Sequence, residues 1–158
     1  MSKTFFISDT HFGQDNILIF VGFNGEPIRP GFESRREMDS YMINNWNATV
    51  GPDDKVYHLG DFTMRRSAMG VSLMEGLNGT KVLIKGNHDK AKLSAYARYV
   101  KDVRSEIHMK TADGHMVIFT HRPIVLPSFE FPPLTFNVHG HIHEKVLDDP
   151  RYINISVE

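Results

Sequence analysis

Cysteine is absent from this chain of 158 residues, which excludes disulfides, Cys-type zinc sites and thiol catalysis. Any metal would have to be held by imidazole, carboxylate or amide groups. An excess of charge is lacking too: 18 Lys and Arg against 19 Asp and Glu leave a formal net charge of -1. That balance argues against a broad polyanion-binding surface or a nucleic-acid-binding stripe. No apolar run approaches the ~18 residues of a membrane span. The start MSKTFFISDT has neither the apolar core nor the cleavage site of a signal peptide, so a cytoplasmic protein without a membrane partner is the expectation. Internal repeats and low-complexity tracts are missing as well.

What is present suits a globular core: 41% hydrophobic and 23% charged residues, with 11 Phe and one Trp. One domain spanning residues 1–158 is expected. Strand and helix signals alternate, which predicts an α/β fold. Strand-like runs cover Thr4 to Ser8, Val56 to Leu59, Val82 to Ile84, Arg104 to Met109, Met116 to Thr120, Thr135 to Val138 and Tyr152 to Val157. Ser34 and Glu37 have the spacing of a capping box, followed by Met38, Tyr41, Met42 and Trp46 at helical spacing as a core-facing stripe. Arg66 to Leu77 and Lys90 to Tyr99 read as further helices, the first stopping at Asn78-Gly79. Asp113-Gly114 predicts a hairpin.

Five of the strand-like runs end in polar clusters: SDTHFG, LGDF, KGNHD, FTHRP and VHGHIHE. Ligands of open α/β sheets bind beyond the carboxyl ends of strands, so one shared site is the economical reading. Its candidates are Asp9, His11, Asp61, Asn87, His88, His121, His141 and His143. These are more donors than one four-coordinate zinc requires, and two cations about 3.5 to 4 Å apart, bridged by a carboxylate, fit better. Such a centre stays positive against two aspartates, attracts anions, and lowers the pKa of bound water toward roughly 7. Phosphate-ester hydrolysis is the natural chemistry, with a histidine outside the metal shell protonating the leaving oxygen.

The ordered set D-x-H (Asp9, His11), G-D (Asp61), G-N-H-D (Asn87, His88, Asp89), His121-Arg122 and G-H-x-H (Gly140, His141, His143) resembles the calcineurin-like metallophosphoesterase superfamily. The ending YINISVE resembles the last strand of its small bacterial and phage members. The resemblance implies a sandwich of two packed mixed β-sheets flanked by helices. It also implies one metal on Asp9, His11 and His143, a second on Asn87, His121 and His141, and Asp61 bridging both. A metal-bridging hydroxide would attack phosphorus, with His88 as the general acid and Asn87 orienting the phosphate. Manganese is the implied metal, with iron, zinc or nickel compatible.

Departures narrow this expectation. GDFTMRR lacks the second Asp and the final Gly of the protein-phosphatase form G-D-x-x-D-R-G, and 158 residues leave no room for the capping domain usual in the superfamily's nucleases. A phosphodiesterase acting on a small phosphate ester is expected, nucleotide-like esters among the candidates. A phosphomonoesterase and a catalytically silent protein-binding scaffold are the alternatives; failure to bind a second metal would favour the scaffold.

Other residues read more plainly. Arg122 is either a fork onto a phosphate oxygen or a structural ion-pair partner. Arg65 and Arg66 read as a solvated helix start. His139 is assigned no direct role beyond outer-shell support, His58 is a packed or hydrogen-bonded strand residue, and His108 and His115 are surface positions. The loops FNGEPIRPGFES and RPIVLPSFEFPPL carry Phe23, Phe32, Phe129 and Phe131. These rings, with Phe12, either pack the loops and a dimer contact or stack on a base. Oligomeric state is not legible.

Overall fold

A strand run in a parallel sheet is covered on both faces, so such a sheet lies between two layers. In the computed structural model, which describes residues 1–64, 68–128 and 133–158, four such runs form one sheet. They are β1 (Thr4–Ile7), β2 (Lys55–His58), β3 (Thr80–Ile84) and β4 (Asp102–Arg104), in the order β1-β2-β3-β4 and parallel throughout. A second sheet has the order β5 (Glu106–Lys110), β6 (Met116–Thr120), β7 (Thr135–His139) and β8 (Tyr152–Asn154). There β5 and β6 form the antiparallel hairpin expected at Asp113-Gly114, while β6, β7 and β8 are parallel. Two four-stranded sheets and a few helices make an α/β architecture. The expectation of two mixed sheets is corrected, since only the second is mixed.

Side-chain alternation sorts the core. On β2 and β3, Val56 and Leu83 point to a cluster with Trp46, Val50, Met74, Leu77 and Tyr96 on the helical side. Their neighbours Tyr57, Val82 and Ile84 join Phe119 and Val138 of the second sheet. Burying each such large side chain contributes about 1.5–3 kcal/mol. Phe6 stacks on both Tyr57 and Phe119, with ring centroids 5.2 and 4.9 Å away, tying the two layers together.

The helix α1 (Arg35–Thr49) begins where Ser34 accepts the N–H of Glu37. Glu37 reaches back to the N–H of Glu33 rather than to Ser34 itself, one residue beyond the expected box. Met38 and Trp46 are buried, whereas Tyr41 is 56% exposed, so the predicted core stripe is narrower than its spacing suggests. The expected helix from Arg66 is, within the described residues, one turn, α2 (Ala68–Val71), followed by a 3-10 stretch, Ser72–Gly76. Its end at Asn78-Gly79 agrees with the sequence, Gly79 lying at φ +82°. Lys90 to Tyr99 also overestimates a helix: α3 (Leu93–Tyr96) is a single turn. Tyr99 bonds back to Tyr96 at 2.8 Å, closing a tight turn, and the link from β3 to β4 buries Ala91, Tyr96 and Val100 together.

The run Arg104 to Met109 is not one strand. Asp102–Arg104 pairs in the first sheet and Glu106–Lys110 in the second, so the chain changes sheets at Ser105. The final run is shorter than expected, but Ser156 still pairs with Ser8 as an isolated parallel bridge beyond β1 and β8. No helix among the described residues is long and apolar enough to cross a membrane.

Candidate metal centre

The carboxyl ends of β1, β2, β3, β6 and β7 open on the same side, and the loops that leave them are zipped together by backbone. Asp9 N–H donates to Gly60 O at 3.0 Å, His11 N–H to Asp61 O at 3.0 Å, and Gly140 N–H to His121 O at 3.0 Å. The sequence-predicted donors therefore converge. Asp9, His11 and His143 form one group that could hold a metal ion, and Asp61, His121 and His141 form another; within each, the ligand atoms lie within 4.8 Å of one another. Asn87 joins the second, its Oδ1 lying 3.0 Å from His121 Nε2. The His11 and His143 rings stack at 5.2 Å, and His121 and His141 meet edge-on at 5.0 Å.

Local backbone strain coincides with these residues. The non-glycine residues with positive φ among those described are Asp9 (59°), His11 (50°), Asp61 (53°), His141 (71°) and His143 (52°). Each such conformation costs of order 1–3 kcal/mol and persists only where surrounding structure enforces it, typically at functional sites. Two glycines permit the close approach. A Cβ on Gly140 would lie 2.1 Å from Asp9 Oδ2, and one on Gly86 2.1 Å from Asp61 Oδ1.

The donor atoms fit a cation. Asp9 Oδ1 and both ring nitrogens of His11 are buried without a hydrogen-bond partner, an arrangement that costs about 1–3 kcal/mol per group if nothing satisfies them. His121 Nδ1 faces the Leu59 carbonyl at 2.9 Å, which only an N–H can do, so the neutral ring carries its lone pair on Nε2. That Nε2 looks onto Asn87 Oδ1 and, at 3.3 Å, onto Asp61 Oδ2. A lone pair facing two oxygens is repulsive unless a proton or a cation lies among them.

Electrostatics keep the carboxylates charged. Burial opposes ionisation of Asp9, but His11, Ser8 and the His141 N–H outweigh it and hold its carboxyl well below the ordinary range. Burial likewise opposes ionisation of Asp61, and His121 with the His88 N–H pulls its pKa down. Burial works against protonation of His121, yet Asp61 and Asp9 draw its pKa up. For His88 and His141 burial prevails and the pKa falls.

His88 stands outside both groups, its Nε2 3.9 Å from Asp61 Oδ2 and its side chain 41% exposed. Arg122 is exposed and its Nη2 lies 3.3 Å from Asn87 Oδ1. His139 is buried, with Nδ1 on the Gly140 carbonyl, and belongs to neither group. His58 is the hydrogen-bonded strand residue expected, accepting from Gly60 N–H and contacting Thr10 Oγ1 at 3.0 Å. His108 is a surface residue paired with Glu106. His115 corrects expectation: it is half-buried and accepts the Leu134 N–H at 2.8 Å, because its ring fits against Phe136.

Phe12 lies in the core against Phe62, Phe32 packs on Tyr41, and Phe23 is exposed beneath the Lys145 ammonium. Arg65, Arg66, Phe129 and Phe131 lie outside the described residues.

Sequence reasoning left Asp89 without a role. It is buried and accepts the N–H groups of Asp61, Phe62 and Gly86. Its place within G-N-H-D was a signal, but only the fold brings those donors to it.

No family model matches the chain. It is similar to the crystal structure of a protein of unknown function, AQ665, from Aquifex aeolicus. That likeness has a TM-score of 0.69 at 27% identity, covering 98% of this chain and 89% of the other. It is also 32% identical to the Gene 66 protein of Mycobacterium phage L5 over 92 residues, 56% of this chain and 41% of that protein. At 32% identity over 98% of its own length and 77% of the relative, the chain belongs to the same family as the uncharacterized protein MJ1445 of Methanocaldococcus jannaschii.

Proposed function

We propose that this chain is a dinuclear metal-dependent phosphoesterase of the metallophosphoesterase double-sheet type, hydrolysing a phosphodiester of a small, nucleotide-like substrate. The observation that carries the reading is the position of Asp61 Oδ2. It lies 3.8 Å from His11 Nε2 in one group and 3.3 Å from His121 Nε2 in the other, so one carboxylate adjoins both. Asp9, His11 and His143 would hold one cation, Asn87, His121 and His141 the other, and Asp61 both. Manganese is the proposed metal, with iron, zinc and nickel compatible with the donor set.

When bound, such cations stabilise charge on a phosphoryl group and lower the pKa of water. The chain's own residues would do the rest. Hydrolysis joins a water oxygen to phosphorus and breaks the ester P–O bond, so the leaving oxygen needs a proton. His88, partly exposed beside the two groups, is poised to deliver it from its imidazolium. Burial lowers its pKa, which strengthens the imidazolium as an acid and reduces its share. Arg122, beside Asn87, offers a planar fork to a non-bridging phosphate oxygen.

The test is hydrolysis of bis-p-nitrophenyl phosphate against p-nitrophenyl phosphate by demetallated protein resupplied with manganese, with Asp61→Asn as control. Manganese-dependent cleavage preferring the diester and lost in the control is the expected result. A monoester preference would replace phosphodiesterase by phosphatase, and two bound metals without turnover of either ester would point to a silent scaffold.

A further inference from the structure

The strand ends supply ligands, but another segment reaches the same centre without supplying any: the extended run from Asn154, the last residue of β8, to Glu158. Alternate residues of an extended chain share one side, and here Asn154, Ser156 and Glu158 do so. Ile155 between Asn154 and Ser156 packs into the inter-sheet core. Asn154 Nδ2 donates to the carbonyls of His143 and Lys145. The Ser156 hydroxyl donates to Asp9 Oδ2 at 2.9 Å. Glu158 Oε1 lies 3.0 Å from His143 Nδ1 and is gripped by Arg29 through Nη2 at 2.7 Å and Nε at 3.1 Å. Arg29 completes the circuit by donating to the backbone carbonyls of Asp9 and Thr10.

These contacts converge on one metal group. Asp9 Oδ2 is taken by Ser156 and by the His141 N–H at 2.9 Å, so Oδ1, which has no partner, is the oxygen turned toward His11 Nε2 at 3.7 Å. His143 is held at its backbone by Asn154, and its ring Nδ1, which has no hydrogen-bond partner, lies at ion-pair distance from Glu158 Oε1, 3.0 Å away. Among the described residues, none of the three has a hydrogen bond or ion pair to the side chain of Asp61, His121 or His141. The Arg29–Glu158 pair is buried, with side-chain exposures of 6% and 2%. Burying two charges carries a desolvation penalty of several kcal/mol per ion, so a pair that served only to tie strands would be a costly means of doing so.

We infer that Asn154, Ser156 and Glu158, backed by Arg29, are positioning residues for one metal only. They set the ligand atoms of Asp9 and His143 and make no side-chain contact with Asp61, His121 or His141, so they reach the second group only through the shared Asp61 and the Asp9–His141 N–H bond. This rests on the two-metal reading above. Residues that orient ligands through hydrogen bonds typically change metal affinity by about 10–100-fold when removed, which gives the test its scale.

The experiment is titration of the demetallated chain with Co2+, following ligand-field absorption and heat, for wild type, Ser156→Ala, Glu158→Ala and Glu158→Gln. Ser156→Ala and Glu158→Ala should each weaken one of two sites about tenfold or more and change its absorption band. The other site should stay within about twofold, and melting of the metal-free variants should be unchanged. Glu158→Gln, which keeps an acceptor oxygen, should recover part of the loss. Two sites with wild-type affinity in every variant, or two sites weakened together with a lowered melting temperature, would make this run a strand tie and overturn the inference. Wild-type protein that binds fewer than two Co2+ would overturn the dinuclear reading and the inference with it, a result distinguishable from unaltered sites in the variants.

Discussion

Asp89 accepts the backbone N–H of Asp61 at 2.8 Å, so the last residue of G-N-H-D holds the loop that presents G-D. The same carboxylate accepts from Phe62 at 3.1 Å and Gly86 at 2.9 Å. Burial, aided by the neighbouring Asp61 charge, pushes its pKa up to about 6, yet the backbone donors need both of its oxygens. Asp89→Asn removes the burial of a charge but turns an NH2 group against N–H donors. The expected net loss is about 1–3 kcal/mol, read as a lower urea midpoint. An unchanged midpoint would mean that these N–H groups find other partners.

His88→Ala is expected to leave metal stoichiometry intact, since the side chain belongs to neither donor group. It should slow esters with alkoxide leaving groups by about 10²–10⁴-fold, while p-nitrophenyl esters, whose leaving group needs no proton, change far less. Loss of a metal in the variant would assign His88 to the ligand shell instead.

His58 predicts a pH dependence of folding. Burial lowers its pKa from 6.5 to about 3, so below pH 6.5 the unfolded chain takes up a proton that the folded chain refuses. The stability from keeping His58 neutral is fully present above pH 6.5 and lost as pH falls toward 3. At pH 5 the loss is about 2 kcal/mol, from ~1.4 kcal/mol per pH unit. Denaturation curves of His58→Gln between pH 7 and pH 4 should fall less steeply than those of the parent; parallel curves would show that His58 is protonated in the folded protein.

Gly140→Ala is expected to disable the Asp9 group. The new Cβ would sit 2.1 Å from both Asp9 Oδ2 and Ser8 Oγ, and relieving that overlap requires Asp9 to move. Overpacking of this kind costs about 1–3 kcal/mol. Metal titration and thermal denaturation of the variant should both show the damage, and retention of two metals at wild-type affinity would contradict it.

The sequence itself determined the inventory of donors and where they occur along the chain. Strand-like runs ending in Asp9, Asp61, Asn87 and His121 were legible because apolar runs and the polar residues that stop them are local features. The Asp113-Gly114 hairpin and the Ser34 cap were legible for the same reason. Helix lengths were not: α3 keeps only Leu93–Tyr96, since helical spacing cannot reveal that the chain turns at Tyr96 and Tyr99 to bury Tyr96 and Val100. The change of sheet at Ser105 was hidden because β4 and β5 read as one run when pairing partners are unknown.

The resemblance implied which donors share a group, but tertiary structure alone decided which carboxylate oxygen remains free and which residues turn left-handed to reach the centre. It also placed Arg29, from the loop FNGEPIRPGFES, at a buried position between Asp9 and Glu158, residues distant in sequence. Local pattern specifies what a side chain can bind. Its partner is chosen by sheet order and loop crossing, which depend on the burial of the whole core.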